Sequence, residues 1–403
     1  MADPARACLD VFLDPDPGAP PFERRHAGLR AEVRRWVDER VRPFADEWER
    51  AREFPPALYR EAGQAGLLGW KYGPEVGGRG PDLLADVVVT EELARCGSGG
   101  VAAGLGATKD LAPYYVARFG TDAQRDRWLR PAVTGAEIAA LAVTEPGAGS
   151  DVAGLRCRAE RAADGWLLSG EKAFCTNGSR ADWLLVAART GVGPGARTIS
   201  LFLVPASARG LRASRIPTLG WRTSQTGVLR LDRVAVPGTA LLAEPGSGFA
   251  MIMESFQWER LSLALAAVSA ATHDLDLVRR DGHRPGCWRR LVDELAGARA
   301  LTYSALTDFL AGSAPLAGVS AAKWLACDLA VRTGLARVAW AARLADPGRC
   351  ARETERAERA LRDARLGPIG GGAREIMAEL VARSLPTMLR LRVPARRGGV
   401  SPG

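Results

Sequence analysis

Hydrophobic positions recur every three to four residues through the first part of the chain, from residue 22 to about 135. The repeat is clearest in one stretch, Val33, Trp36, Val37, Val41 and Phe44. This spacing places apolar side chains on one face of a helix, so it predicts an N-terminal all-α domain over residues 22–135. The Pro- and Asp-rich residues before it are expected to be irregular.

The pattern changes between residues 136 and 240, where short β-prone runs alternate with Gly, Asp and Pro turns. The clearest runs are residues 183–188, 199–204 and 228–231. They predict a middle antiparallel β-barrel or sandwich over residues 136–240. From 241 to 390, long alanine- and leucine-rich segments predict a C-terminal four-helix-bundle domain. The expected fold class is therefore an α+β multidomain protein.

The composition of the chain says more about possible binding partners than about the fold. The 403 residues are 47% hydrophobic and 25% charged, and the formal net charge of +9 favours an anionic partner. Nucleic acid is not expected, because the arginines are scattered without interleaved aromatic residues in any one segment. A phosphorylated carrier such as coenzyme A, or an acidic carrier protein, fits the charge equally well. An arginine-rich coding style would explain it without any partner.

Cysteine usage and the N-terminal residues bear on the cellular compartment. The cysteines, at positions 8, 96, 157, 175, 287, 327 and 350, are scattered without metal-ligand spacing, so free thiols and no metal site are expected. The N-terminus lacks a basic segment followed by an apolar core, and no run of about 18 apolar residues indicates a membrane span. We expect a cytoplasmic protein that does not associate with membranes.

Five short motifs follow one another along the chain. They are residues 141–151 (LAVTEPGAGSD), 170–177 (GEKAFCTN), 259–260 (ER), 362–365 (RDAR) and 369–376 (IGGGAREI). In this order they resemble the acyl-CoA dehydrogenase family of flavoenzymes. Two glycine-rich alternatives fail, because the chain has neither the Gly-Lys-Ser/Thr order of a P-loop nor a strand–GxGxxG–helix unit.

The first motif follows a predicted strand and contains hydroxyl side chains and glycines. Glycines let backbone amides approach an electron-rich ring, and the hydroxyl groups can donate hydrogen bonds to it. The resemblance implies that this segment lies against the pyrimidine side of FAD and that Ser150 touches both flavin and substrate. The implied FAD contacts are Leu141, Val143, Thr144, Gly149 and Ser150. Taken alone, the segment would be an ordinary loop between strands.

The second motif contains Phe174-Cys175-Thr176, which resembles a family Trp-Ile-Thr segment whose threonine contacts the N5 region of the flavin. The resemblance implies that all three residues bind FAD. Phe174 keeps an aromatic face without the indole donor. Cys175 is expected to be a packed thiol, since no base is close to it in sequence. In the late motif, Ala373 and Glu375 are the implied FAD contacts.

Proton removal from the carbon α to a thioester carbonyl needs a carboxylate in a dry pocket, where desolvation raises its pKa toward working pH. Many family members carry this glutamate in the late motif, at the position of Gly371. The isovaleryl-type branch has glycine there and a glutamate on the first long C-terminal helix. The resemblance therefore implies that Glu259 is the catalytic base, with Glu254 as the runner-up at a spacing that does not match. A surface glutamate paired with a neighbouring arginine is the alternative role for Glu259.

Substrate contacts follow from the same resemblance. A backbone N–H at Gly371 is implied to polarise the thioester carbonyl as enolate charge develops. Gly372 and Ser150 are implied to lie beside the substrate. Arg260 would either bind the substrate or fix its helix.

Three departures from the family pattern concern the adenine end of the cofactor. Residues 279–288 (RRDGHRPGCW) stand where the family has Arg-x-x-Phe-Gly, and 343–350 (RLADPGRC) where it has Gln-x-x-Gly-Gly-x-Gly. Ala373 replaces a threonine. The family arginine has no clear counterpart among Arg279, Arg280 and Arg284. These differences predict an altered hold on that end of FAD.

The resemblance as a whole implies flavin-dependent α,β-dehydrogenation of an acyl-CoA or acyl-carrier-protein thioester. FAD is the implied cofactor, electron-transfer flavoprotein or oxygen the implied acceptor, and a homotetramer or homodimer the implied assembly. Two alternatives stay open on the same fold. One is a flavin- and oxygen-dependent oxidase or hydroxylase, and the other is a non-catalytic subunit paired with an active paralogue.

Overall fold

The computed structural model describes residues 21–191, 195–282 and 286–391, with residues 385–391 described as helical backbone. Its elements run from helices through strands to helices, which confirms the expected α+β multidomain class. Cys8 and Arg284 lie outside the described residues.

Helices form the N-terminal part. Their bounds are α1 Arg24–Arg40, α2 Ala45–Ala51, α3 Ala57–Gln64, α4 Leu83–Ala94, α5 Gly99–Asp110, α6 Ala112–Phe119, α7 Asp122–Gln124 and α8 Arg130–Val133. Of the predicted apolar stripe, Val33, Val37 and Val41 are buried, whereas Phe44 is 42% exposed. Phe44 leaves the stripe because α1 ends before Pro43, which cannot continue the helix and lies in the 3-10 turn Arg42–Phe44.

The middle part is one sheet, with eight strands among the described residues. The strands are β1 Ala139–Ala142, β2 Arg158–Ala162, β3 Gly165–Cys175, β4 Trp183–Arg189, β5 Ile199–Pro205, β6 Leu211–Arg215, β7 Gly227–Pro237 and β8 Leu241–Leu242. Their order is β6-β7-β3-β2-β4-β5-β8, and β1 pairs with β4. The pairs are antiparallel, as predicted, except that β1 and β2 both run parallel to β4. The three predicted β-prone runs lie within β4, β5 and β7.

Long helices return in the C-terminal part. Within the described residues they are α9 Gly248–Arg280, α10 Trp288–Leu310, α11 Leu316–Ala341, α12 Pro347–Ala364 and α13 Arg374–Leu391. Helices α9, α10 and α11 supply most of the largest apolar core, in which Trp258 and Trp340 are buried. By length and composition alone α9 could cross a membrane, but 61% of its most apolar window is buried inside the protein. Such burial is typical of a core helix.

Asp363, from the RDAR motif, lies where the three parts of the chain meet. Its carboxylate accepts the N–H of Gly99 at 2.8 Å, at the start of α5, and the N–H of Trp221 at 2.6 Å, in the loop before β7. On the same helix, Arg359 donates to Asp46 of α2 at 2.8 Å. The motif therefore has a structural role, because it ties α12 to both preceding parts of the fold.

Lysine is rare in this chain and is always buried. Only four of the 55 basic residues are lysines, and all four lie within the described residues. They are Lys71, Lys109, Lys172 and Lys323, and none is more than 9% exposed. An ammonium group is a compact point charge, whereas a guanidinium group is a wide planar fork. The four lysines therefore mark small polar centres inside the fold.

Candidate active site

The first two motifs meet beyond the end of β1. The carbonyl oxygen of Thr144 accepts the N–H of Ala173 at 2.9 Å. The buried Lys172 donates to the carbonyl of Val143 at 3.0 Å and to the carboxylate of Glu145 at 2.7 Å. Because these bonds cross from one motif to the other, the two segments form one continuous surface, which we call the motif surface.

The motif surface presents an aromatic ring beside open backbone. Phe174 is 67% exposed and has a φ of 57°, a left-handed conformation that is costly for a bulky residue. Gly147 and Gly149 have no heavy atom within 4 Å of the point where a Cβ would stand. Thr144 and Thr176 are half-buried beside them. Hydroxyls, open amides and an uncovered ring fit a flat heterocycle such as the flavin ring.

Cys175 and Asn177 point inward from the same segment. Burial raises the pKa of the Cys175 thiol to about 12, which keeps it neutral and agrees with a packed thiol. The Asn177 amide donates to the carbonyl of Gly104 on α5 at 2.9 Å, and its oxygen accepts the Tyr59 hydroxyl at 2.7 Å. Asn177 therefore anchors the turn that carries Thr176 to two N-terminal helices.

The other implied FAD contacts differ in exposure. Leu141 on β1 is half-buried and Val143 is buried, whereas Ser150 is exposed. Ala373 is half-buried just before α13, and Glu375 is exposed in the first turn of that helix. A ligand on the motif surface can therefore reach Ser150, while Val143 supports the surface from below.

Glu259 lies within α9, and its carboxylate approaches the late motif. Its Oε1 is 3.6 Å from the position that a Cβ would take on Gly371. The pKa of Glu259 is raised to about 7, chiefly by burial and to a smaller extent by Asp110, while Arg260 and Lys323 act in the opposite direction. A carboxyl group with a pKa near 7 is suited to accept a proton near neutral pH.

The runner-up, Glu254, has a different environment. Its side chain is 46% exposed and forms an ion pair with Arg118, which is itself 49% exposed. Pairs of this kind are ordinary at protein surfaces and contribute little to stability. The structure therefore separates a solvated glutamate from the half-buried Glu259.

The late motif forms a turn held by two buried cations. Gly371 and Gly372 have φ angles of 65° and 115°, which glycine adopts without strain. Arg260 donates from Nε to the carbonyl of Gly371 at 3.0 Å, and Lys323 donates from Nζ to that of Gly372 at 2.5 Å. Arg260 thus fixes its helix against the turn, which is one of the two roles implied by the resemblance.

At the far end of α9, the arginines are engaged within the chain. Arg279 and Arg280 each approach Asp276 at 2.7 Å. Residues 343–350 run from the turn after α11 into α12, where Asp346 accepts the N–H of Arg349. An altered hold on the adenine end of FAD stays a prediction.

Some residues that shape the site were not assigned a role from the sequence. They are Lys172, Asn177, Lys323 and Asp363. The rarity of lysine was a usable signal for two of them, because only four positions in the chain carry it. The described part of the chain contains no group of three or more His, Cys, Asp or Glu residues that could hold a metal ion.

Family models match nearly the whole chain. The N-terminal domain of acyl-CoA dehydrogenase matches residues 23–136, the middle domain 140–234 and the C-terminal domain 246–385. Over 385 residues, the chain is 32% identical to the long-chain specific acyl-CoA dehydrogenase, mitochondrial, of Rattus norvegicus, covering 90% of this chain and 87% of that protein. The chain belongs to the acyl-CoA dehydrogenase family.

Solved structures agree with this assignment. The acyl-CoA dehydrogenase of Geobacillus kaustophilus has a TM-score of 0.85 and 30% identity, covering 91% of this chain and 99% of that one. A chain from the structure of the electron transferring flavoprotein of Acidaminococcus fermentans has a TM-score of 0.83 and 26% identity, covering 89% and 97%. This acyl-CoA dehydrogenase is an FAD-dependent oxidoreductase that acts on CH–CH bonds, which confirms the expected enzyme class and cofactor.

Proposed function

We propose that this acyl-CoA dehydrogenase removes the α proton of its acyl thioester with Glu259 while a hydride leaves the β carbon. The observation that supports this is the environment of Glu259, whose carboxyl group has a pKa of about 7 and approaches the Gly371 turn. When bound, FAD supplies the hydride acceptor at its N5 atom. A base that is half ionised near neutral pH matches the requirement of α-proton abstraction.

The neighbouring residues have complementary roles in this proposal. The main-chain N–H of Gly371 would donate to the thioester carbonyl as negative charge develops on it. Arg260 and Lys323 hold the carbonyls of the turn and so fix the direction of its N–H groups. Thr144, Ser150, Phe174 and Thr176 on the motif surface would hold the flavin ring.

The decisive variant is Glu259→Gln, which keeps the shape of the side chain and removes the base. We expect turnover of an acyl-CoA to fall by a factor of about 10³ or more, within the range that general bases contribute, while FAD stays bound. Glu254→Gln is the matched control, because it lies on the same helix but in a surface ion pair. Near-normal turnover of Glu259→Gln would reject the assignment.

Carrier and electron acceptor are part of the same proposal. The net charge of +9 suits either coenzyme A or an acidic acyl carrier protein as the thioester carrier. Electron-transfer flavoprotein or oxygen would reoxidise the enzyme, and one of the similar structures contains an electron transferring flavoprotein. Anaerobic titration with a panel of acyl thioesters, followed by addition of each acceptor, measures both choices by loss and recovery of flavin absorbance.

We also propose that the enzyme works in the cytoplasm as a homotetramer or homodimer. The family resemblance supports self-association, and the free cysteines of the described residues support a reducing compartment. Light scattering of the purified holoenzyme measures its mass against the 42.9 kDa of one chain. A monomer at micromolar concentration would overturn the proposed assembly.

A further inference from the structure

Four buried charged side chains meet behind the turn of α9 that carries Glu259. We call Lys71, Asp86, Lys109 and Asp110 the buried quartet; they come from the loop after α3, from α4 and from the end of α5. None is more than 9% exposed. Lys109 lies 2.6 Å from Asp86 and 2.9 Å from Asp110, and Lys71 pairs with both carboxylates. Two positive and two negative groups balance, as buried charges require.

Trp258 connects the buried quartet to α9. Its indole N–H donates to the Asp110 carboxylate at 3.0 Å, and the Lys71 ammonium lies 4.7 Å from its ring centroid. The rings of Phe309 and Tyr114 lie 5.4 Å and 6.5 Å from it. Trp258 is 1% exposed, so its side chain is held on several sides at once.

Trp258 immediately precedes Glu259 in the sequence. Successive residues of an α-helix point about 100° apart, so one side chain can contact the quartet while the next approaches Gly371. A shift of this turn of α9 would move Glu259 relative to the Gly371 turn. Misplacement of a reacting group by about 1 Å can cost about 100-fold in rate. Loss of the bond from Trp258 to Asp110 would therefore be expected to change the position of the base.

The charge of Asp110 also affects Glu259. Burial is the main cause that raises the pKa of Glu259, Asp110 adds to it, and Arg260 and Lys323 lower it. Burial, and then the Glu259 carboxylate, raise the pKa of the buried hydroxyl of Tyr115 on α6. Asp110 is thus connected to the base in two ways: through its hydrogen bond with Trp258 and through the electrostatic effect of its carboxylate.

We propose that Asp110 and Trp258 are positioning residues for proton abstraction, and that Lys71 and Lys109 hold Asp110 in its ionised form. The charge of Asp110 contributes to the protonation of the base, and Trp258 holds the turn of α9 that carries it. This inference rests on the proposed function, because it assumes that Glu259 is the base.

Two conservative variants separate the two effects. Trp258→Phe keeps a ring in the core and the charge of Asp110 but removes the indole donor. We expect kcat per bound flavin to fall about 3- to 30-fold with little change in KM, since positioning affects the reacting complex.

Asp110→Asn keeps an acceptor for Trp258 and removes the charge. We expect the acid limb of kcat/KM against pH to move to lower pH, because the base then ionises more readily.

Controls distinguish these effects from damage to the fold. Trp340→Phe removes a comparable indole bond, to Asp281 at 3.1 Å, from an equally buried ring, and should keep full kcat. If Asp110→Asn does not fold, Lys71→Met/Asp110→Asn keeps the buried charges balanced and should show a shift in the same direction. A lowered stability with unchanged kcat and pH profile would indicate structural roles only and would overturn the proposal.

The outcome of Glu259→Gln separates this proposal from the one on which it rests. Full activity of Glu259→Gln would reject Glu259 as the base, and it would also reject the positioning roles of Asp110 and Trp258. Glu259→Gln could instead be inactive while Trp258→Phe keeps wild-type kcat and Asp110→Asn keeps a wild-type pH profile. That result would overturn only the positioning roles of Asp110 and Trp258.

Discussion

Glu259 packs against Gly371: Oε1 of the glutamate lies 3.6 Å, a van der Waals contact distance, from the point at which Gly371 would carry a Cβ. The Cδ1 atom of Leu263 lies 2.7 Å from the same point. A side chain at position 371 would therefore collide with α9 and crowd the carboxylate. The glutamate on α9 and the glycine in the late motif belong to one arrangement.

Gly371→Ala is expected to lower kcat/KM about 10- to 100-fold. The added methyl group would push on Leu263 and move Glu259, and the φ of 65° adds about 1 to 2 kcal/mol of backbone strain. Gly370→Ala is the matched control, since its Cβ would approach nothing closer than Leu366 at 3.4 Å. Steady-state kinetics and urea unfolding measure the two effects. Equal activity of both variants would show that the packing of Gly371 against α9 does not control the position of Glu259.

Activity should rise with pH as Glu259 ionises. Because only the carboxylate accepts a proton and its pKa is about 7, kcat/KM should increase through about pH 7. Lys323→Met removes a cation that lowers this pKa, so the limb should move to higher pH. Arg118→Met removes an exposed cation and should leave the limb in place. A limb well below pH 6 in the wild type would argue against the raised pKa.

Local sequence patterns predicted the order of elements because strands and helices differ in period. The predicted β-prone runs 183–188 and 199–204 lie in β4 and β5. Long-range pairs had no such signal. Lys323 and Gly372 are 49 residues apart, and Gly99 and Asp363 are 264 apart. Such contacts depend on how helices pack, which a single sequence pattern does not specify.

Phe174→Ala is expected to weaken FAD binding more than it changes the fold. The ring is 67% exposed, so its removal should cost the apoprotein little. An aromatic contact with the flavin is worth about 0.5 to 1.5 kcal/mol, which corresponds to a rise in Kd of about 2- to 13-fold. Leu219→Ala, at 62% exposure, is the control. Fluorescence titration of each apoprotein with FAD measures the two Kd values. Equal Kd values for Phe174→Ala and Leu219→Ala would show that Phe174 does not contact the flavin.

Asp363→Ala should destabilise the junction of the three parts of the fold. The N–H groups of Gly99 and Trp221 would lose their acceptor, and each unsatisfied buried group costs about 1 to 3 kcal/mol. We expect the free energy of unfolding to fall by about 2 to 4 kcal/mol in urea. Asp126→Ala, at an exposed ion pair, should change it by less than about 1 kcal/mol. A comparable decrease in the free energy of unfolding of both variants would contradict the structural role of Asp363.

Every lysine ε-amine of the folded chain is shielded, and this matters for an enzyme that works beside acyl thioesters. An unprotonated amine attacks a thioester carbonyl, forms an amide and releases the thiol. Arginine carries the same positive charge but stays protonated, so it offers no such nucleophile. After long incubation with acyl-CoA, mass spectrometry should find acylated lysines only in denatured protein. The arginine-rich surface can thus attract an anionic thioester without acylation of lysine side chains.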